Sequence, residues 1–409
     1  MYSWRIANSD VISSRVRLTS LIITFVSLTM GSTLTTPIFE LYRQQFNLSD
    51  QSIAIIFAAY VAGVIVSLLV SDVAARRWGH RAVTIVAVLV SLVAALFFLL
   101  AETAISVGIA RVLSGISVGL CTATLTTMMR ASLPATSAAI CASVGLATGL
   151  ACGPLLAEVA ILWLPDPAHS AFWLYLPFPT ISLLLMSMLR PTRSLMHLRQ
   201  FPVPETVSNS RRVILSTATL CCAFALNGYY LSLVPSLLQR DLATTHPLAV
   251  LAVTILLAAA AMGQALVRHV SVRLVEYIGL ALLAIGSMCA AILIYVGNGP
   301  AFIICTGVLG LGHGMTTSSS LAALNTAVPS DRSATATVRY YIFGYLASAL
   351  PIIGLGWLSD QLGLNIASIT FFLLEFFFIL ACYVRLVYLT RPAAASHVVA
   401  GVIQNNVKD

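Results

Sequence analysis

A chain of 409 residues of which 59% are hydrophobic and only 9% charged cannot form a water-soluble globule with an ordinary charged surface; it reads as a polytopic membrane protein. The net charge of +8 would elsewhere suggest an anionic partner, but here the basic residues sit between apolar runs and mark topology rather than a nucleic-acid surface. The longest polar stretch, about 190–212, is too short to fold alone, which excludes a separate soluble catalytic domain.

A bilayer core takes roughly 20 apolar residues per helix, and the sequence places twelve such spans. Span 1 (18–40) follows Arg5, Arg15 and Arg17, lacks a small-residue cleavage site, and is expected to be retained rather than removed as a signal peptide. It carries Pro37 and ends on Glu40. Span 2 (51–71) leads into a basic turn with Asp72, Arg76, Gly79 and Arg81, and span 3 is 82–101. Span 4 (104–126) contains Arg111. Span 5 (138–160) holds Gly149, Gly153, Pro154 and Glu158, and span 6 is 172–189. After 190–212 come span 7 (213–236) with Asn227, Tyr229 and Tyr230, span 8 (248–267) with Gln264, and span 9 (274–295). Span 10 (301–323) contains His313, span 11 (335–357) Pro351 and span 12 (366–388) Glu375.

An even number of spans puts both termini on one side. Of the 22 Lys and Arg, only Arg43, Arg111 and Arg240 fall outside the connections and tails of that side, so the positive-inside rule predicts cytoplasmic termini. The eight cysteines lie in apolar segments without C-x-x-C spacing and read as small buried hydrophobes.

The sequence also repeats. Pro37 and Pro235 are 198 apart, Arg76 and Arg273 197, Pro154 and Pro351 197, and Arg130 and Arg332 202. One offset shared by several landmarks predicts two homologous six-span bundles, 1–189 and 213–409, joined by a cytoplasmic linker at 190–212. Two parallel-related halves around a central cavity are the plan of an alternating-access transporter.

Four-residue spacing puts Gly149 and Gly153 on one face of span 5, where another backbone can come close, and Pro154 predicts a bend or a tight junction beside them. Such a helix suits two bundles that move against each other; small residues also simply aid packing in any membrane helix.

These stretches resemble the major facilitator superfamily over nearly the whole chain. Arg111-Val-Leu-Ser-Gly115-Ile-Ser-Val-Gly119 is similar to the family's membrane-buried arginine followed by spaced glycines. Gly149-Leu-Ala-Cys-Gly153-Pro154 resembles the span 5 pattern associated with proton-coupled exporters. Pro37, Tyr42, Asn47-Leu48-Ser49 and Phe57-Ala-Ala-Tyr60 resemble drug or metabolite efflux members. Gly79-His80-Arg81 matches the second half of the family's cytoplasmic gating motif, but Asp72 stands where the family has glycine and Arg76 where it has the pairing aspartate. The resemblance implies an all-α membrane protein of twelve helices in two pseudo-symmetric bundles, with Asp72, Arg76, Gly79 and Arg81 gating and with Gly149, Gly153, Pro154 and Pro351 as hinge positions.

Ionisable residues at membrane depth are costly and therefore candidates for function. Glu40, Arg111 and Glu158 lie within about 10 Å of one another in depth, from a rise of roughly 1.5 Å per residue. A buried guanidinium needs an anionic partner, and Glu40 or Glu158 is expected to supply it. Protonation of one acid would then release Arg111 and bias the transport cycle; the plainer alternative is a fixed structural pair with interfacial acids. His313, flanked by Gly312 and Gly314, is a candidate for proton or substrate binding. Asn227, Tyr230 and Gln264 are candidates to line the substrate cavity, or to form interhelical hydrogen bonds. Glu375 lies on a span that is peripheral in the family.

No phosphate-cradling glycine loop with lysine, H-E-x-x-H or G-x-S-x-G appears, so neither ATP as the energy source nor an enzyme is expected. No cofactor or metal is called for, and the expected partners are a small-molecule substrate, protons and the bilayer. The reading is a monomeric transporter of the inner (cytoplasmic) membrane, exporting a small organic compound in exchange for protons. Few charged cavity candidates favour a neutral, cationic or amphipathic substrate. A proton-coupled uptake symporter or a non-transporting, receptor-like membrane protein are the alternatives.

Overall fold

The computed structural model describes residues 2–133, 135–189, 210–267, 270–329 and 333–390; most of the expected linker, with Arg268 and Arg332, lies outside the described residues. Among the described residues the chain is helical and twelve helices are long and apolar enough to cross a membrane. They are Val16–Phe46, Asp50–Trp78, His80–Leu99, Ala104–Arg130, Cys141–Trp163, Pro167–Met188, Ser210–Ser232, His246–Leu266, Val272–Val296, Gly299–Ala327, Thr335–Leu362 and Leu364–Leu389, spans 1 to 12 in order. Twelve crossings bring both termini to one end, here the terminal end; the opposite end, which carries the turn after Phe46, is the distal end.

Three spans are broken where proline dictates. Pro37 has no N–H and its ring crowds the carbonyl four residues back, and span 1 breaks at Leu34 between Tyr2–Thr33 and Thr35–Phe46. Span 7 stops at Ser232 just before Pro235 and continues as Val234–Ser236 and a π turn over Leu237–Asp241. The two breaks, at Leu34 and Leu233, are 199 residues apart, so the repeat extends to the kinks. Span 6 breaks at Leu176, before Pro177. By contrast, spans 5 and 11 run helical through Pro154 and Pro351.

The packing repeats as the sequence does. Within the first bundle span 2 packs on span 4, span 3 on span 4, span 1 on span 5 and span 3 on span 6; spans 8 and 10, 9 and 10, 7 and 11, and 9 and 12 form the same pairs in the second. Glycines hold the closest of these seams. A Cβ on Gly63 would strike the Val112 carbonyl oxygen, and one on Gly115 the Tyr60 carbonyl oxygen. Gly263 against Leu311 and Gly314 against Ala260 repeat that contact between spans 8 and 10 at an offset of 199 or 200. Cα-to-backbone approach of this kind is what helices in lipid use for cohesion, because apolar burial between them gains little over contact with acyl chains.

Gly149 and Gly153 belong to the same class of seam. They lie against Val26 and Met30 of span 1, inside the first bundle. The expectation that this glycine face lies between two moving bundles is therefore corrected: it is a packed seam, and span 5 meets the other bundle through span 8 instead. The second contact between bundles is span 2 on span 11, its counterpart under the repeat.

Two glycines of span 4 separate seam from open space. Gly115→Val should destabilise the folded protein by about 1–3 kcal/mol, the range for forcing methyl groups into a filled contact. Gly108→Ala, whose Cβ would meet nothing within 4 Å, should be neutral or slightly stabilising. Thermal unfolding in detergent, with both variants side by side, reads the difference.

Candidate functional site

Arg111 is 2% exposed at the heart of the first bundle. Its Nη1 donates to the Ser32 carbonyl (2.7 Å) and to Thr35 Oγ1 (2.8 Å), the residues on either side of the span 1 break. A break frees carbonyls from the helical ladder, and the guanidinium satisfies one of them. The Tyr60, Phe39 and Phe57 rings stand 4.7, 5.3 and 5.8 Å from its central carbon, an aromatic cage. The expected pairing with Glu40 or Glu158 is not formed, and among the described residues no carboxylate contacts Arg111. Both acids are engaged elsewhere.

Glu40 is buried, and its carboxylate accepts from Arg43 Nε (3.1 Å), from Gln44 (3.3 Å) and from Ser236 Oγ (3.0 Å) in the second bundle. Glu158, also buried, has Oε2 2.8 Å from His246 Nδ1 at the start of span 8, an ion-pair contact whose orientation falls short of a directed hydrogen bond. Both acids therefore bridge the bundles near the distal end.

A third bridge lies beside them. The Asp50 carboxylate at the start of span 2 accepts from Arg240 Nη1 (2.8 Å) and Ser359 Oγ (2.6 Å). Asp360, the next residue of span 11, accepts in turn from the backbone N–H groups of Asp50 (2.9 Å) and Gln51 (3.3 Å), and Gly356 one turn earlier lies flat on the same backbone. Span 2 is thus N-capped by the other bundle, while Ser49 caps Ser52 locally. Asp50, Ser236, Arg240, His246, Ser359 and Asp360 were not singled out from the sequence, because polar residues at span ends look like punctuation. One signal was there: Arg43 and Arg240, two of the three arginines that depart from the charge asymmetry, are 197 apart; Arg240 makes the bridge to Asp50, and Arg43 holds the bridging Glu40 within its own helix.

At the terminal end the expected gating residues are local. Arg76 pairs with Asp72 one turn away on an exposed face, an arrangement worth little in water. Gly79 turns between spans 2 and 3 at φ +85, a conformation glycine adopts freely. Arg81 donates from Nε to the Met186 carbonyl (2.9 Å) and from Nη2 to that of Ser187 (2.7 Å), capping the end of span 6. Arg212 of span 7 pairs with Glu276, a wholly buried acid of span 9 that sequence reading passed over.

The cavity candidates divide. Tyr230 is fully buried and bonded to Thr306 (2.9 Å), an interhelical hydrogen bond rather than a cavity group. Asn227 is half-buried with Oδ1 unpaired, and Gln264 is half-buried near the end of span 8. His313 is 8% exposed with both ring nitrogens unpaired. Glu375 is buried in span 12 with Oε1 unpaired.

No curated protein matches the chain in sequence. Solved structures with the same fold include the nucleoside transporter NupG (D323A mutant) at 10% identity over 92% of this chain and 100% of that one, TM-score 0.71. A bacterial homologue of the human lysosomal transporter Spinster, inward-facing and unoccupied, is 15% identical over 93% of this chain and 99% of its own, TM-score 0.71. A D-xylose–proton symporter is 16% identical over 89% and 96%, TM-score 0.71. At these identities the likeness is one of fold. The sequence pattern described as Major Facilitator Superfamily matches residues 21–352, and with the paired bundles and their repeated seams this places the chain in that family of membrane transporters.

Proposed function

We propose that the protein exports a small organic compound across the cytoplasmic membrane in exchange for protons, acting as a monomer by alternating access, with both termini in the cytoplasm. The distal end is then the outer one, sealed in this conformation by the Glu40, Asp50 and Glu158 bridges. The observation that carries the reading is Glu158: a buried carboxylate of span 5 whose one ion-pair contact among the described residues is a histidine of the other bundle. A proton on Glu158 removes its charge and with it the attraction to His246. By linkage, proton binding and opening of the distal end favour one another, so a proton taken up from outside is released when that end closes again. That sequence carries protons inward as the cavity carries substrate outward. The span 5 stretch Gly149 to Pro154, which resembles exporters, supports the same direction.

A deletion strain compared with an overexpressing one across a compound library tests the direction of transport. Resistance with lowered accumulation in the overexpressing strain is the expected result; raised accumulation would establish uptake instead.

The coupling acid is tested separately. Glu158→Gln should slow proton-driven exchange about tenfold or more, within the range of a coupling free energy between two sites, and flatten its dependence on pH. If Glu158→Gln and Glu40→Gln both keep full exchange with the normal pH profile, neither acid couples.

Weakening the seal should shift the conformational balance. Asp50→Asn, which takes the charge from both the Arg240 and Ser359 contacts, should raise labelling of an engineered Ile53→Cys by a membrane-impermeant thiol reagent about tenfold. Ile53 is 1% exposed beside the seal, so its labelling reports opening at that end.

A further inference from the structure

The sequence led to the expectation of an acid of the same chain against Arg111, and among the described residues no carboxylate meets it. Glu158 is engaged by His246, and Glu40 by Arg43, Gln44 and Ser236. Arg111 nevertheless carries a full charge at 2% exposure. Its Nη1 is occupied by span 1, whereas Nε is buried without a partner among the described residues. Nε shares with Nη2 the edge of the guanidinium that receives a carboxylate in a bidentate pair. Around that group stand the Phe39, Phe57 and Tyr60 rings, whose faces tolerate the cation but carry no net charge to cancel it. A desolvated cation with a free donor edge and apolar walls is electrostatically complementary to one kind of ligand, an apolar body bearing a single negative charge.

We propose that Arg111, Phe39, Phe57 and Tyr60 form the recognition site for a hydrophobic monocarboxylate. Its carboxylate takes the Nε–Nη2 edge while its body lies against the rings. The proposal rests on the transporter reading above for its biological sense and narrows that reading's substrate to an anionic amphipath. It also replaces the neutral or cationic preference drawn from the scarcity of charged cavity residues: one uncompensated cation outweighs a count of polar groups.

The test is binding to the purified full chain in lipid nanodiscs, followed by calorimetry and thermal shift, with benzoate, phenylacetate and octanoate as probes. Each is set against its amide, and benzylamine serves as the cationic control. The expected result is saturable binding of at least one carboxylate, with its amide and benzylamine about ten- to a hundredfold weaker, as for the loss of a charge-assisted hydrogen bond. Arg111→Gln should lose the discrimination between acid and amide, and Arg111→Lys, which keeps the charge without the fork, should retain part of it. Should Arg111→Gln fail to fold, Phe57→Leu provides a second reading: weaker binding of benzoate and phenylacetate with octanoate little changed. Amides or benzylamine binding as tightly as the acids, acid selectivity surviving Arg111→Gln, or no carboxylate binding at all would each overturn the proposal. Carboxylate binding without movement in proteoliposomes would keep the site and defeat the transport reading instead.

Discussion

Helices in a bilayer cannot rely on the hydrophobic effect to hold one another, since lipid tails are as apolar as leucine, and close backbone packing must supply the cohesion. That constraint divides the protein. Inside each bundle, span pairs approach until glycine is the only residue that fits, as at Gly63, Gly115, Gly263 and Gly314. Between the bundles at the distal end, apart from Gly356 against the Asp50–Gln51 backbone, contact is made by carboxylates, an arginine, a histidine and serines. Dry backbone seams have no intermediate separation, whereas polar contacts can exchange their partners for water. The bundles are therefore the stiff units and the bridges between them the parts able to part.

The same low-dielectric surroundings rule the charges. An ionised group at membrane depth persists only where something meets it, and each buried acid outside spans 9 and 12 meets a partner across the bundle interface. Arg111 is met differently, by a carbonyl and a hydroxyl beside the break at Leu34 and by three rings. It ties the break in span 1 to span 4, and so fixes the segment Thr35–Phe46 on which Glu40 rides toward the second bundle.

Much of this was legible in the chain, and the limits have physical causes. The twelve spans, the repeat and the family follow from hydropathy, proline offsets and glycine spacing, which act locally and along one dimension. Depth is also one-dimensional, and it put Glu40, Arg111 and Glu158 at one level. Whether two side chains at one level touch depends on the rotation of each helix and on which helices are neighbours, which spacing does not encode. Hence the acids turned out to face the other bundle, Tyr230 to be spent on Thr306, and Gly149 and Gly153 to face span 1. The distal bridges escaped notice for another reason: Asp50 and Asp360 occupy span ends, where polar residues are expected on topological grounds alone.

The cap on span 2 has a consequence for how the protein moves. The N–H groups of Asp50 and Gln51 find their acceptor in Asp360 of the opposite bundle, so the first turn of this helix is complete only while the bundles touch. In the alternating access proposed above, separation would pass two amide hydrogens from a carboxylate to solvent and leave the turn free to fray. The helix would then be effectively longer in one conformation than in the other, and the hydrogen exchange of its leading amides would act as an internal clock for each opening.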